Sequence, residues 1–375
     1  MKRRKFLQAT GVGLVGAAAL QHQALAAFST NSSQQSSKNW VWITPDTEAS
    51  DEDWKKRFDK MKQVGIDAIL PEVFQGSAAY YESEHLPVKA KWLEQLIPLA
   101  KEAGLEIHAW MWTMPCLVQE IRDKHPEWYN VNRKGESSVD KPAYVDYYRF
   151  LCPSRPEVHE FIQTRVRELA SFDVDGVHFD YIRHPDVILA EGLQPKYDIV
   201  QDKEYPEYDY CYCDVCRGNY KEKYGEDPLE MKDPTKSKTW RQFRFDLITN
   251  LVNNKLIPVA KEKGKITSAA VFPNWEHVRQ QWSHWEIDAL LPMLYHNFYN
   301  EDINWIRKQV KKGIKSLQHN QQLYSGLFVP SLKPEELEEA IQASLKGGAK
   351  GISLFSFGAV KEEHWNVLEK NLKKA

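Results

Sequence analysis

From Trp40 to the C-terminus the chain repeats one unit: a short apolar segment, a loop, an amphipathic stretch of helical spacing, and often a glycine before the next apolar segment. The apolar segments fall at residues 39–45, 66–74, 105–112, 175–182, 265–272, 287–295, 322–329 and 350–357. Helical patterns such as DEDWKKRFDKMKQVG, PEVHEFIQTRVRELA and PEELEEAIQASLKGG lie between them, and EEHWNVLEKNLKK closes the set. Several end on Gly, which takes the left-handed turn at a helix C-terminus without steric cost. Parallel strands need a long crossover, usually a helix, so this alternation commits the chain to an α/β architecture. Eight strands and eight helices predict a (β/α)₈ TIM barrel over residues 40–375, with an open doubly wound sheet as the alternative.

A barrel of this kind takes about 250 residues. The surplus falls after the third strand, at 113–154, and after the fourth, at 183–238. Both are loops of the C-terminal face, where barrel enzymes hold their active sites. The fourth strand, in VDGVHFDYIRHP (174–185), carries a carboxylate in an apolar setting. Strand parity directs Val177, Phe179 and Tyr181 toward the helices, and His178, Asp180 and Ile182 toward the barrel axis. Asp180 then opens toward the loops; an Asp buried in a pair with Arg183 or His178 is the structural alternative. The third strand puts His108 and Trp110 on one parity, the second carries Glu72 near its end, and PMLYHNFY brings Tyr295 and His296 to the mouth of the sixth. Together they predict a polar pocket with aromatic walls. The 13 Trp and 17 Tyr supply flat apolar faces of the kind that stack on sugar rings.

The segments GLEIHAWMW, LCPSRPEVHEFI, VDGVHFDYIRHP and PMLYHNF, in this order, resemble the glycosyl-hydrolase-like family ten proteins, and the likeness runs over most of the chain after residue 40. The resemblance implies a (β/α)₈ barrel that hydrolyses O-glycosidic bonds in complex or cell-envelope polysaccharides, peptidoglycan glycan strands among them. It matches the family's fourth-strand Asp to Asp180 and its third-strand His to His108. It departs at Tyr181, where many relatives carry a second acid, and at Phe74, where a basic residue is expected.

Glycoside cleavage needs two carboxyl groups, one to protonate the leaving oxygen and one to attack the anomeric carbon or activate water. Asp180 is assigned as nucleophile or general base and Glu72 as acid. Glu276, just past the fifth strand, is the alternative acid, unless Asn274 caps a helix there and Glu276 merely sits in its first turn. His108, Trp110, Trp112, His178, Arg183, Trp275, Tyr295 and His296 are the candidate substrate-binding residues. No cofactor is required for this chemistry. The chain carries no GxSxG elbow, no P-loop and no HxH pair. Two further readings are a non-catalytic carbohydrate-binding barrel and a peptidoglycan-remodelling glycosidase acting with cell-wall partners.

Three of the five cysteines form CYCDVC: Cys211, Cys213 and Cys216. This supplies three soft ligands for a structural zinc, with Cys152, His184 or Asp214 as the fourth; a disulfide plus a free thiol is the alternative. Residues 1–26 carry Arg3-Arg4, an apolar run and Ala24-Leu25-Ala26, the pattern of a twin-arginine signal peptide. The GxGxxG match at Gly11, Gly13 and Gly16 lies inside that run, with no strand before it, and is not a nucleotide site. Residues 27–39 read as a polar linker. The expected location is periplasmic or extracellular, with a polysaccharide or oligosaccharide as partner and no transmembrane anchor once the signal is removed. A net charge of −2 offers no field for nucleic acid.

Overall fold

The computed structural model describes residues 37–373. The signal-peptide segment and most of the linker lie outside them. Lys38 and Asn39, the last linker residues, are built into the barrel: Asn39 donates from its backbone to Asp67 (2.9 Å) and from its side chain to the Gly65 carbonyl (3.0 Å). No helix among the described residues is long and apolar enough to cross a membrane.

Nine strands, β1 (Trp40–Ile43), β2 (Ala68–Phe74), β3 (Glu106–Trp112), β4 (Gly176–Asp180), β5 (Ile266–Val271), β6 (Ala289–Pro292), β7 (Gln322–Leu323), β8 (Ser325–Phe328) and β9 (Ile352–Phe355), form one parallel sheet in the order β7-β6-β5-β4-β3-β2-β1-β9-β8. β7 and β8 are the single seventh strand expected at 322–329, interrupted at Tyr324. β6 reaches across that break: Tyr324 N–H donates to Leu290 O (2.8 Å) and Met293 bridges Gly326. The ring is thereby closed, and the structure is a TIM barrel rather than an open sheet.

The helices are α1 (Asp51–Gln63), α2 (Trp92–Glu102), α3 (Gln119–Lys124), α4 (Pro156–Ser171), α5 (Asp214–Tyr224), α6 (Lys238–Asn250), α7 (Ile257–Lys261), α8 (Ile303–Ser316), α9 (Pro334–Gly347) and α10 (Glu362–Leu372). α1 shows how they are specified. Ser50 and Asp53 form a reciprocal capping box, acids fill the first turn, and Trp54, Phe58 and Met61 recur on one buried face. That face packs with the outward strand residues, including Val41, Ile69, Ile107, Val177 and Phe179, in the main core. The inward residues Trp40, Trp42, Ala68, Leu70, Trp110, Ala270, Ala289, Leu291 and Tyr324 form a second cluster inside the barrel. Gly176 is required at its place in β4, because a Cβ there would lie 2.2 Å from the His108 ring.

The parity expected for β4 holds through Asp180 and then breaks. The strand ends at Asp180, not Ile182, and Tyr181 turns into the left-handed region (φ 51°). That turn rotates Tyr181 into the cavity above the barrel and sends Ile182 into the outer core, the reverse of continued alternation.

Candidate active site

The register of three neighbouring strands places the two carboxylates. Glu72 on β2 pairs with Trp110 on β3, and Asp180 on β4 pairs with Trp112 on β3. Each indole donates sideways: Trp112 Nε1 to Glu72 Oε1 (2.7 Å) and Trp110 Nε1 to Asp180 Oδ2 (3.2 Å). Glu72 also accepts from Gln75 (2.7 Å), and the left-handed turn brings the Tyr181 N–H onto Asp180 Oδ1 (2.7 Å). Both carboxyls line one cavity of about 340 Å³ at the C-terminal mouth of the barrel. Burial raises the Glu72 carboxyl to about 7, aided by the charge of Asp180, against the two hydrogen bonds that favour ionisation. Burial likewise raises Asp180 to about 6, opposed by the Tyr181 N–H, Arg183 and Trp110. Burial thus moves both carboxyls upward into the range where a carboxyl group can exchange protons near neutral pH.

Aromatic side chains make most of the remaining wall. Trp42, Trp110 and Trp112 come from the strands, Tyr147 and Tyr148 from the β3 loop, Tyr181 from the end of β4, and Tyr295, Phe298, Phe328 and Phe355 from the ends of β6, β8 and β9. The Tyr295 hydroxyl is buried without a hydrogen-bond partner, and its phenol is held well above the ordinary tyrosine range by burial and by the charge of Asp180. Arg183 lines the cavity but its charge is bound internally. It donates to Asp186 (2.8 Å) and to Tyr148 OH (3.2 Å), fixing the start of the β4 loop.

The expected site residues therefore divide. Asp180, Glu72, Trp110, Trp112, Arg183 and Tyr295 meet in the cavity. His108 and His178 lie beneath it, fully buried on the barrel axis. Trp42 donates its indole N–H to His178 Nε2 (3.1 Å), so the other ring nitrogen carries the proton toward Ser268 Oγ (2.9 Å). His108 is bound to Glu106 (3.2 Å). Burial lowers both histidines, against the pull of Glu106 on His108, and neither lines the cavity, so they pack the floor beneath it rather than contact a sugar. Glu276, Trp275 and His296 are not part of the cavity wall. Glu276 is exposed in the 3₁₀ turn Trp275–Val278 that follows Asn274, and Trp275 packs on Phe245 and faces a separate pocket. His296 lies half-buried in its own 3₁₀ turn. Tyr147, Tyr148, Tyr181, Phe328 and Phe355 were not anticipated. The run YVDYYRF (144–150) and the aromatic residues closing β8 and β9 are the signals that point to them.

Four buried cysteines, Cys152, Cys211, Cys213 and Cys216, place their sulfurs within 4.8 Å of one another. Cys152, from the β3 loop just before α4, completes the set; His184 and Asp214 do not. Asp214 is exposed and paired with Arg155 (2.6 Å). The Cys152 sulfur lies 3.5 Å from those of Cys213 and Cys216, too long for the ~2.05 Å of a disulfide. Tetrahedral zinc with Zn–S of about 2.3 Å spaces its sulfurs by about 3.8 Å, so the donor set fits that ion.

No curated protein matches the chain in sequence. Among solved structures, the catalytic domain of a β-amylase from Paenibacillus polymyxa superposes with a TM-score of 0.64 at 10% identity, over 89% of this chain and 97% of that one. A β-galactosidase from the psychrophilic Marinomonas ef1 follows with a TM-score of 0.61 at 11% identity, over 89% of this chain and 58% of that one. An α-L-fucosidase isoenzyme from Paenibacillus thiaminolyticus gives 0.55 at 14% identity, over 90% of this chain and 49% of that one. At these identities the likeness is one of fold, and the chain spans only about half the length of the last two. In sequence, residues 35–334 match the glycosyl hydrolase-like 10 family, and the chain belongs to that family.

Proposed function

We propose that the protein is a glycoside hydrolase that cleaves O-glycosidic bonds of a polysaccharide or oligosaccharide with Asp180 and Glu72 as its carboxyl pair. The observation that carries this reading is the pair itself: two carboxyls on the strands that flank β3, in one aromatic cavity, raised to about 6 and about 7. Glu72, the group that keeps its proton longer, protonates the leaving oxygen. Asp180, ionised first and held by two N–H donors, faces the anomeric centre as nucleophile or base. The aromatic walls supply faces for the sugar rings. Zinc at the four cysteines belongs to the same reading as a structural ion that ties the β3 loop to the β4 loop, since none of the four lines the cavity that holds the carboxyls. The twin-arginine pattern read at residues 1–26 supports a place of action outside the cytoplasm.

The test is product analysis of the parent protein and Asp180→Asn on soluble starch, xylan, galactan and peptide-free peptidoglycan strands. Cleavage by the parent that Asp180→Asn abolishes is the expected result. Cleavage undiminished in Asp180→Asn removes the assignment, and a parent that binds these glycans without cutting any is a binding module.

A further inference from the structure

Residues 187–201 take no part in the chemistry assigned to the carboxyl pair, yet they decide what reaches it. This stretch of the β4 loop contributes Leu189, Ala190, Leu193, Lys196 and Tyr197 to the cavity wall. It is bonded to three neighbouring connections. Toward the β3 loop, Gln201 donates to Tyr144 OH (2.8 Å), which itself donates to Asp186 O (2.8 Å). Toward the turn after β5, Val187 N–H donates to His277 O (2.8 Å), and toward the turn after β6, Gly192 N–H donates to Phe298 O (2.8 Å). Two buried glutamines brace it from within: Gln201 accepts from Leu189 N–H (2.7 Å) and Gln194 accepts from Gln201 N–H (2.8 Å). The contact with the β6 turn is close enough to require glycine, since a Cβ at 192 would lie 2.5 Å from Asn297 O. So many fixed hydrogen bonds describe a wall, not a mobile lid.

On the opposite side the connections are short. β1 reaches α1 through residues 44–50, β8 reaches α9 through 329–333, and β9 reaches α10 through 356–361. Long connections therefore follow β2 to β6, and short ones follow β8, β9 and β1. A polymer lying across the mouth needs an exit on both sides. The cavity, about 340 Å³, is also near the small end of the roughly 300–1,000 Å³ of enclosed ligand sites.

From this asymmetry we infer that the strap formed by residues 187–201 closes the cavity on its β3–β6 side, so that a glycan enters from the β8–β1 side with a chain end at Asp180 and Glu72. The inference rests on the glycosidase reading and specifies its substrate: chain ends and short oligosaccharides, not the interior of a long polymer. Lys196 and Tyr197 then stand at the closed end, against the terminal sugar.

The test is a time course on whichever of soluble starch, xylan, galactan or peptide-free peptidoglycan strands the protein cuts, following new reducing ends, viscosity and product size together. The expected result is one or two short products from the earliest time, with viscosity falling only slowly as reducing ends accumulate. An early ladder of intermediate sizes with a steep fall in viscosity overturns the strap inference and leaves the glycosidase reading standing. Absence of new reducing ends from every glycan, by contrast, removes the glycosidase reading and this inference with it. Gly192→Gln, which forces the strap off Asn297, is expected to raise internal cuts several-fold relative to end release. A folded Gly192→Gln protein with an unchanged ratio counts against the strap, and if that variant does not fold the parent's product profile decides alone.

Discussion

Trp112 on β3 donates its indole N–H to Glu72 on β2 across 2.7 Å, and this bond helps set the proton affinity of the proposed acid. An N–H donor favours the ionised carboxylate, so it opposes the burial that raises Glu72 to about 7. The reactive form has Asp180 ionised and Glu72 protonated, so kcat/KM is expected to be bell-shaped, with limbs near 6 and near 7. Trp112→Phe removes a donor to the ionised form and moves the alkaline limb to higher pH. Glu72→Gln removes that limb and lowers kcat by about 10²–10⁴-fold. An alkaline limb that stays in place in Trp112→Phe, with activity retained in Glu72→Gln, shows that another group is the acid.

The same two carboxyls make the fold pH-sensitive in a defined direction. In the folded protein Glu72 titrates at about 7 instead of 4.5, and Asp180 at about 6 instead of 3.8. The native state therefore holds more protons than the unfolded chain between these values, and their contribution to stability falls as pH rises from about 4 to about 7. Glu72→Gln and Asp180→Asn stay neutral throughout. At pH 8 each is expected to be more stable than the parent by about 1–3 kcal/mol, a difference that closes below pH 4. Denaturant titrations at pH 4 and pH 8 measure it, and variants less stable than the parent at pH 8 contradict the assigned burial.

Much of the barrel was legible because periodicity is local. Alternation within seven or eight residues is enough to put Asp180 on the inner face and Phe179 on the outer one. The reading failed where the local rule ends. Tyr181 breaks parity because the chain adopts a left-handed conformation there, which no apolar pattern encodes. Glu276 lies next to β5 in the chain, yet a 3₁₀ turn carries it out to solvent. The strap and the Tyr147–Tyr148 wall depend on hydrogen bonds between loops, and such bonds have no sequence period. Cys152 was one of three options for a fourth ligand because it lies 61 residues before Cys213, and only the docking of the two loops unites them.

That union makes a metal prediction. The purified protein is expected to carry about one zinc per chain, and Cys152→Ser to lose most of it. Because the four sulfurs join the β3 loop to the β4 loop, chelation is expected to lower the Tm by several degrees and expose the 113–155 and 181–237 segments to protease. Elemental analysis with thermal melts before and after chelation gives the result. A metal-free protein whose melt does not respond to chelator shows that the cluster is held by its own packing.

Tyr295 offers a test that separates a binding role from a structural one. Its hydroxyl is buried in the cavity wall without a partner, and an unsatisfied buried polar group costs about 1–3 kcal/mol. Tyr295→Phe keeps the ring, and with it the packing on Phe298 and Phe328, whose ring centres lie 5.4 and 5.1 Å away. If the hydroxyl serves the fold, its loss lowers stability and leaves turnover alone. If it is kept for an oxygen of the bound sugar next to Asp180, the opposite pair of effects is expected. Stability then holds or rises, while kcat/KM falls by up to about tenfold, the worth of one hydrogen bond of about 0.5–1.5 kcal/mol. Melting curves and steady-state kinetics on the same preparation decide between the two, and a destabilised Tyr295→Phe protein with unchanged kcat/KM would falsify the binding role.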